Sequence, residues 1–177
     1  FGVVPSIRLG TGETKIETGA FMPNLEVECC FAGRWSLALS GMYSDFAYKD
    51  KTRDSWSVSE ISLEPGIWLS PSGRFTGLHT GVFAEYGDFD VRGGAIDKSE
   101  DILYGRTGCF WSAGLSMGYR FSLAGGLGMG LSVRAGYRSV FDGKKYRYDA
   151  PDDRNYLETD FASTGFMLGL RISLSYR

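Results

Sequence analysis

Ala162-Ser-Thr-Gly-Phe-Met-Leu-Gly-Leu-Arg-Ile-Ser-Leu-Ser-Tyr176 decides the fold. Its even positions read Ala162, Thr164, Phe166, Leu168, Leu170, Ile172, Leu174 and Tyr176. Its odd positions read Ser163, Gly165, Met167, Gly169, Arg171, Ser173 and Ser175. A period of two puts successive side chains on opposite faces of a strand. One face is therefore large and apolar, the other small or polar.

The same split recurs upstream. Leu127 to Tyr137 alternates with Gly128 to Arg138, Trp111 to Phe121 with Ser112 to Ser122, and Ile61 to Leu69 with Glu60 to Trp68. Weaker versions cover Val3 to Gly10, Asn24 to Ala32, Trp35 to Phe46 and Phe75 to Asp88. The sum is eight strands and no sustained helical period. Ala32-Gly33-Arg34, Ser70-Pro71-Ser72-Gly73 and Leu123-Ala124-Gly125-Gly126 are tight-turn material. Thr11 to Pro23, Ala47 to Ser55, Phe89 to Thr107 and Asp142 to Glu158 read as long polar loops. Short and long connections alternate. That predicts an all-β fold, an eight-stranded antiparallel up-and-down transmembrane β-barrel, as one domain over residues 1–177.

Composition agrees. Gly is 25 of 177 residues and aromatics reach 15%, whereas Pro is only 5, so the glycines are not low-complexity disorder. No apolar run approaches the roughly 18 residues of a membrane helix, but barrel strands need only about 9–11. The formal net charge of −2 gives no electrostatic support for a nucleic-acid partner. Cys29 and Cys30 are adjacent and point to opposite faces, and with Cys109 they form neither a disulfide framework nor a metal spacing. No cofactor is expected. The chain opens on Phe1-Gly2-Val3 without a Met, so removal of a leader is expected.

Alternation alone also fits a soluble carrier barrel, with the apolar face inside. Three features favour the inverted arrangement. The polar face is mostly Gly, Ser, Arg and Glu, and small residues suit a narrow interior. Several strands exceed the usual 5–6 residues or so. Aromatics gather near strand ends on the apolar face: Trp35, Tyr119, Phe121 and Tyr176 toward the short turns, Tyr43, Tyr86, Trp111 and Tyr137 toward the long loops. Two such girdles mark membrane interfaces.

The other face then lines a lumen holding Arg8, Glu26, Glu28, Glu60, Glu64, Glu85, Arg120, Arg134, Arg138 and Arg171, with His79 in the same register. Glutamates fall on strands two, four and five, arginines on strands one, six, seven and eight. An unpaired charge in a narrow, poorly hydrated interior is costly, so opposite signs are expected to meet across the axis and plug it. His79 has Glu85 six residues away on its own face and reads as a hydrogen-bonded lumen residue. Gly125-Gly126-Leu127-Gly128-Met129-Gly130 has no following helix to hold a phosphate and fits a turn plus close packing. The loops carry the contact surface, with Tyr146, Tyr148 and Tyr156 among mixed charges. Asp152-Asp153 is too short for a calcium loop.

Met22-Pro23-Asn24-Leu25-Glu26-Val27-Glu28, then Gly33-Arg34-Trp35-Ser36-Leu37, Trp56 through Glu64-Pro65, Trp68-Leu69, Gly77-Leu78-His79, Tyr86, Gly114 to Tyr119-Arg120 and Gly136-Tyr137 together resemble a Bacteroidota outer-membrane barrel family catalogued as a domain of unknown function. The resemblance runs from about Pro23 to Val140. Ile67 stands where the family pattern has Arg-Tyr before the Trp. The resemblance implies an outer-membrane barrel, often encoded beside fimbrial genes, and supplies no catalytic residues. OmpA-like small barrels are the wider analogy, and fold does not settle function.

The expectation is a non-enzymatic barrel in a Gram-negative outer membrane, both termini periplasmic. Outer-membrane lipid surrounds it, and another envelope or surface protein docks on it. A lipid-acting enzyme with His79 as base, a narrow pore and a soluble ligand-binding barrel are the rival readings.

Overall fold

The computed structural model describes residues 2–9, 24–47, 55–70, 75–93, 102–149 and 154–176. Side chains are described for most of these, not for residues 2–9, 46–47, 55, 93, 102–104, 124, 148–149 or 154–158. The strands are β1 (Gly2–Leu9), β2 (Asn24–Phe31), β3 (Trp35–Ala47), β4 (Ser55–Trp68), β5 (Gly77–Gly93), β6 (Ile102–Ser122), β7 (Leu127–Asp149) and β8 (Arg154–Tyr176). β2 to β8 form one antiparallel up-and-down sheet of seven strands, each paired with the next in sequence. Among the described residues the only helical element is a 3-10 turn, Ala124–Gly126, and no helix is long and apolar enough to cross a membrane.

Local chemistry sets the short ends. Ala32 and Gly33 both have positive φ between β2 and β3, the requirement of a tight hairpin whose twist matches its strands. Gly125 and Gly126 do the same between β6 and β7, where the Leu123 amide donates to the Leu127 carbonyl at 2.7 Å. Pro65 offers no amide, and the pairing of β4 with β5 stops at Leu63 opposite Ala84 and resumes at Gly66 opposite Gly81. Gly114 and Gly136 face one another across β6 and β7. A Cβ on either would lie 2.6 to 2.7 Å from the other's Cα, so this close approach admits only glycine.

Two of the expected loops are largely strand. β5 continues to Gly93 and β6 begins at Ile102, inside the expected Phe89 to Thr107 loop. β7 continues to Asp149 and β8 begins at Arg154, inside Asp142 to Glu158. Those stretches carry polar groups on both faces, so they lack the apolar alternation that announces a half-buried strand. The sheet is consequently uneven. β2, β3 and β4 have 8, 13 and 14 residues, whereas β6, β7 and β8 have 21, 23 and 23.

One irregularity governs the tall part. Cys109 lies opposite Phe141 and Thr107 opposite Lys144, while Val140 lies opposite Ser163 and Gly143 opposite Phe161. β7 thus holds one more residue than either neighbour. Asp142, at φ 49°, takes up the excess as a bulge. Below it, odd β7 residues such as Val133 and Tyr137 are exposed; above it, odd residues turn to the opposite face.

The sheet rolls strongly, because side chains on β2 reach side chains on β6 and β8 across its concave face. Fourteen described polar or charged side chains are buried, against six hydrophobic ones: Cys30, Ala38, Trp68, Phe83, Phe110 and Tyr146. The large aliphatics of the convex face are exposed, Leu168 to 71% and Leu115 to 66%. This molecule is polar inside and apolar outside, the reverse of a water-soluble domain.

Candidate functional site: the concave charge layer and the convex belts

The charges on the concave face are layered along the strands. In the lowest layer, Arg120 on β6 donates to Glu28 on β2 at 2.6 Å and stacks its guanidinium over Trp68, 4.7 Å from the ring centroid. Trp68 is 1% exposed and donates from Nε1 to the Ser36 hydroxyl at 3.2 Å. The His79 ring lies against Trp68, centroids 4.6 Å apart, and against the bare backbone of Gly118. A Cβ on Gly118 would sit 2.6 Å from the imidazole, so glycine there makes room for the histidine.

The middle layer is the densest. Arg134 on β7 pairs with Glu64 on β4, and with Glu85 on β5 at 2.5 Å. Arg171 on β8 pairs with Glu26 on β2, and with Glu64 at 3.1 Å. The Ser116 hydroxyl donates to the second Glu64 oxygen at 2.7 Å. Glu64 therefore receives two guanidinium groups and a hydroxyl, and every charge named has an opposite partner. Arg supplies planar, forked donors to this lattice, which a Lys ammonium could not reproduce.

Above it, Arg138 lies 3.4 Å from Glu85 and 3.8 Å from Glu60, and its Nε donates to Ser112 at 2.9 Å. Its contacts are longer and its side chain is more open than those below. Phe83 and Phe110 lie under Arg134 and Arg138, at 5.0 and 4.2 Å from the guanidinium carbons. Each of these three arginines thus has an aromatic plate on one side and carboxylates at its edge.

These groups divide the interior. A cavity of about 200 Å³ lined by Asn24, Met42, Glu60, Glu85 and Arg138 lies on the loop side of the middle layer. On the turn side the space beside Glu28, His79 and Arg120 is about 30 Å³, the share of one water.

The expected residues are therefore brought together as one constellation: Glu26, Glu28, Glu60, Glu64, Glu85, Arg120, Arg134, Arg138 and Arg171, with His79 at its lower edge. Arg8 stands on β1, and its side chain lies outside the described residues. His79 is held by ring packing, and its Nδ1 has no hydrogen-bond partner among the described atoms. Sequence reading did not single out Phe110 or Trp68 as arginine plates. The available signal was their register, since both fall on the face of Ser112 and Glu64 rather than with the exposed aliphatics.

The convex face carries two rows of exposed aromatics. Tyr43, Tyr86, Trp111 and Tyr137 lie toward the tall side, and Phe166 packs on Tyr137 with centroids 6.1 Å apart. Trp35, Tyr119, Phe121 and Tyr176 lie toward the turns, with Tyr119 and Phe121 4.7 Å apart. Trp35 to Tyr43 and Trp111 to Tyr119 are each eight residues, roughly 26 Å along a strand. Exposed Leu, Ile, Val and Met fill the interval. Cys29 is exposed, Cys30 buried and Cys109 half-buried, and none of the three forms a disulfide among the described residues.

Beyond the upper row, Tyr146 packs over Gly105 and donates to Asp90 at 2.5 Å. Burial first, and then the bond to Asp90, push its phenol up to about 12. Tyr148 and Tyr156 have side chains outside the described residues, as do Asp152 and Asp153 entirely.

No curated protein matches the chain. The family model described as "Protein of unknown function (DUF3575)" matches residues 16–177, the seven paired strands and nearly the whole sequence, and the chain belongs to that family.

Proposed function

We propose that this chain is an integral outer-membrane β-barrel of eight strands that serves as a structural element and docking partner in the cell envelope. The observation that carries the reading is the inverted polarity: paired charges buried on the concave face, bare aliphatics on the convex face between two aromatic rows. In water that arrangement is unfavourable, because each exposed Leu forfeits about 1.5–3 kcal/mol of burial. In a bilayer the same aliphatics meet hydrocarbon, and the aromatic rows sit at the two interfaces. At a tilt near 40° the eight-residue interval between rows spans about 20 Å, close to the apolar band of such barrels.

Closure through β1 completes the barrel. Its backbone pairs with β2 from Gly2 opposite Cys30 to Ile7 opposite Leu25, and with β8 from Ser6 opposite Ser175 to Leu9 opposite Ile172. A closed sheet has no edge, which hydrocarbon demands of any spanning strand structure. The short turns and both termini then face the periplasm, and the tall strands face outward.

The middle charge layer keeps such a barrel shut. Glu64, Arg134 and Arg171 meet across its axis, so a hydrated ion has no continuous path. Among the described side chains no nucleophile is hydrogen-bonded to His79, and it carries no chemistry in this reading. The family resemblance to Bacteroidota barrels, and the OmpA-like architecture, point the same way.

Membrane fractionation of the native host tests the proposal. The chain is expected in the detergent-extracted outer-membrane fraction, with a gel mobility that changes on heating. Extraction by buffer alone would overturn it. Planar-bilayer recordings are expected to show no discrete conductance steps.

A further inference from the structure

Glycines of the concave face are of two kinds. On β5, β6 and β7 close packing demands them. A Cβ on Gly87 would lie 2.6 Å from the Phe110 ring, and one on Gly114, Gly118 or Gly136 would collide as closely. On β8 there is no such demand. A Cβ on Gly165 would have nothing within 4 Å, and one on Gly169 would make a single ordinary contact, 3.9 Å from the Arg134 Cβ. Neither has a positive φ. These two glycines leave room instead of filling it.

That room lies beside Arg138. Gly165 is directly opposite Arg138 on the ladder between β7 and β8, and Gly169 and Arg138 both line the cavity of about 200 Å³ above the middle layer. The Arg138 Nε donates to Ser112, and its Nη2 makes only the long contacts to Glu85 and Glu60. Its Nη1 has no partner among the described residues, and the side chain is 38% exposed. The carboxylates of the cavity are better served. Glu85 takes Arg134 at 2.5 Å, and Glu60 has a further interaction besides Arg138. The unmet group here is therefore a charged donor. The apolar lining includes Met42 on β3 and Met167 on β8, both half-buried, whose thioethers adapt to many shapes.

We infer that this cavity binds a small organic monocarboxylate, with its carboxylate on Arg138 and its short apolar tail against Met42 and Met167. The inference goes beyond the envelope role and needs only the concave geometry. A dry cavity of about 150 Å³ holds benzene, so this one has room for a carboxylate on a tail of about four carbons. The ligand bonds to Nη1 and shares Nη2 with Glu85. Glu85 keeps Arg134, so the middle layer stays intact. Phe110, 4.2 Å from the guanidinium carbon, holds that plane in place before the ligand arrives. A bond from a guanidinium to a carboxylate is charge-assisted and selects for the sign of the ligand.

The full chain, in the mildest medium that extracts it, is titrated with pentanoate by calorimetry, and the heat from the medium alone is subtracted. Saturable binding is expected, with pentylamine and pentanol weaker by about tenfold or more. Arg138→Gln is expected to weaken pentanoate about tenfold, and Arg138→Lys several-fold, because the charge stays but the fork is lost. Gly169→Val fills the room without a collision and is expected to weaken pentanoate about tenfold while acetate stays within about twofold. Lys145→Gln removes an exposed cation outside the cavity and leaves binding unchanged. Each variant is checked by far-ultraviolet circular dichroism, and Gly165→Val or Arg138→Lys replaces one that loses the wild-type spectrum. No saturable heat from the wild type would overturn the inference. So would equal binding of pentylamine or pentanol, pentanoate binding untouched by the Arg138 and glycine variants, or equal weakening by Lys145→Gln. Buffer extraction of a chain that binds pentanoate would sink the membrane proposal and leave this inference standing.

Discussion

The concave face holds two populations of cations that obey opposite rules. Within the span of the aromatic rows, Arg120, Arg134 and Arg171 each touch at least one carboxylate at hydrogen-bond distance. Above that span, Arg106 and Lys145 stand opposite one another across β6 and β7, and both are exposed. The difference is solvent. Enclosed charges lose their hydration and must be neutralised locally, whereas charges at an open mouth keep their water and can stand together. Sign balance along a strand therefore reports where the protein is enclosed.

The sharpest way to break this contrast is to remove a cation from each region. Arg134→Met leaves Glu64 and Glu85 short of a partner, and a loss of about 3–5 kcal/mol is expected in urea unfolding of the reconstituted protein. Lys145→Met in the upper region is expected to stay within about 0.5 kcal/mol. Comparable losses at both sites would erase the distinction. On the convex face, Leu168→Arg places a charge between the rows and should cost about 2–4 kcal/mol in a bilayer. A water-soluble barrel would instead tolerate or welcome it, so unchanged stability there tells against the membrane reading.

Smaller effects sharpen the upper boundary. Tyr146→Phe deletes the bond to Asp90, and a loss of about 1 kcal/mol is expected, less in proportion to its exposure. The phenol of Tyr146 should ionise late in an ultraviolet titration, near 12, beyond the free tyrosine range. Its folded value is raised, so its contribution to stability is fully present below pH 10 and is lost as pH rises toward 12. Ionisation of Tyr146 at the ordinary value would mean that its outer-face contact with Asp90 is open to water.

Much of this was legible in the chain. Leu127 to Arg138 and Ala162 to Tyr176 announce their faces, because lipid or core on one side and packed polar groups on the other leave a period of two. The members of the charge layer were legible for the same reason. Which carboxylate each arginine takes was not, since Glu64 meets Arg171 only through the roll of the whole sheet. The upper strands were read as loops because water on both sides removes the alternation. Asp142 gave no signal, as a single extra residue is visible only against the neighbouring strands.

That extra residue separates a side chain's parity in the sequence from the side it faces. Beyond it Lys144 meets Thr107 and Lys145 meets Arg106, on ladders that run on undisturbed. Deleting residue 142 alone would only straighten β7. Gly143 would take the place opposite Gly108, and every later side chain would keep its side. The strand can thus gain or lose one residue at this point without changing what its upper half presents.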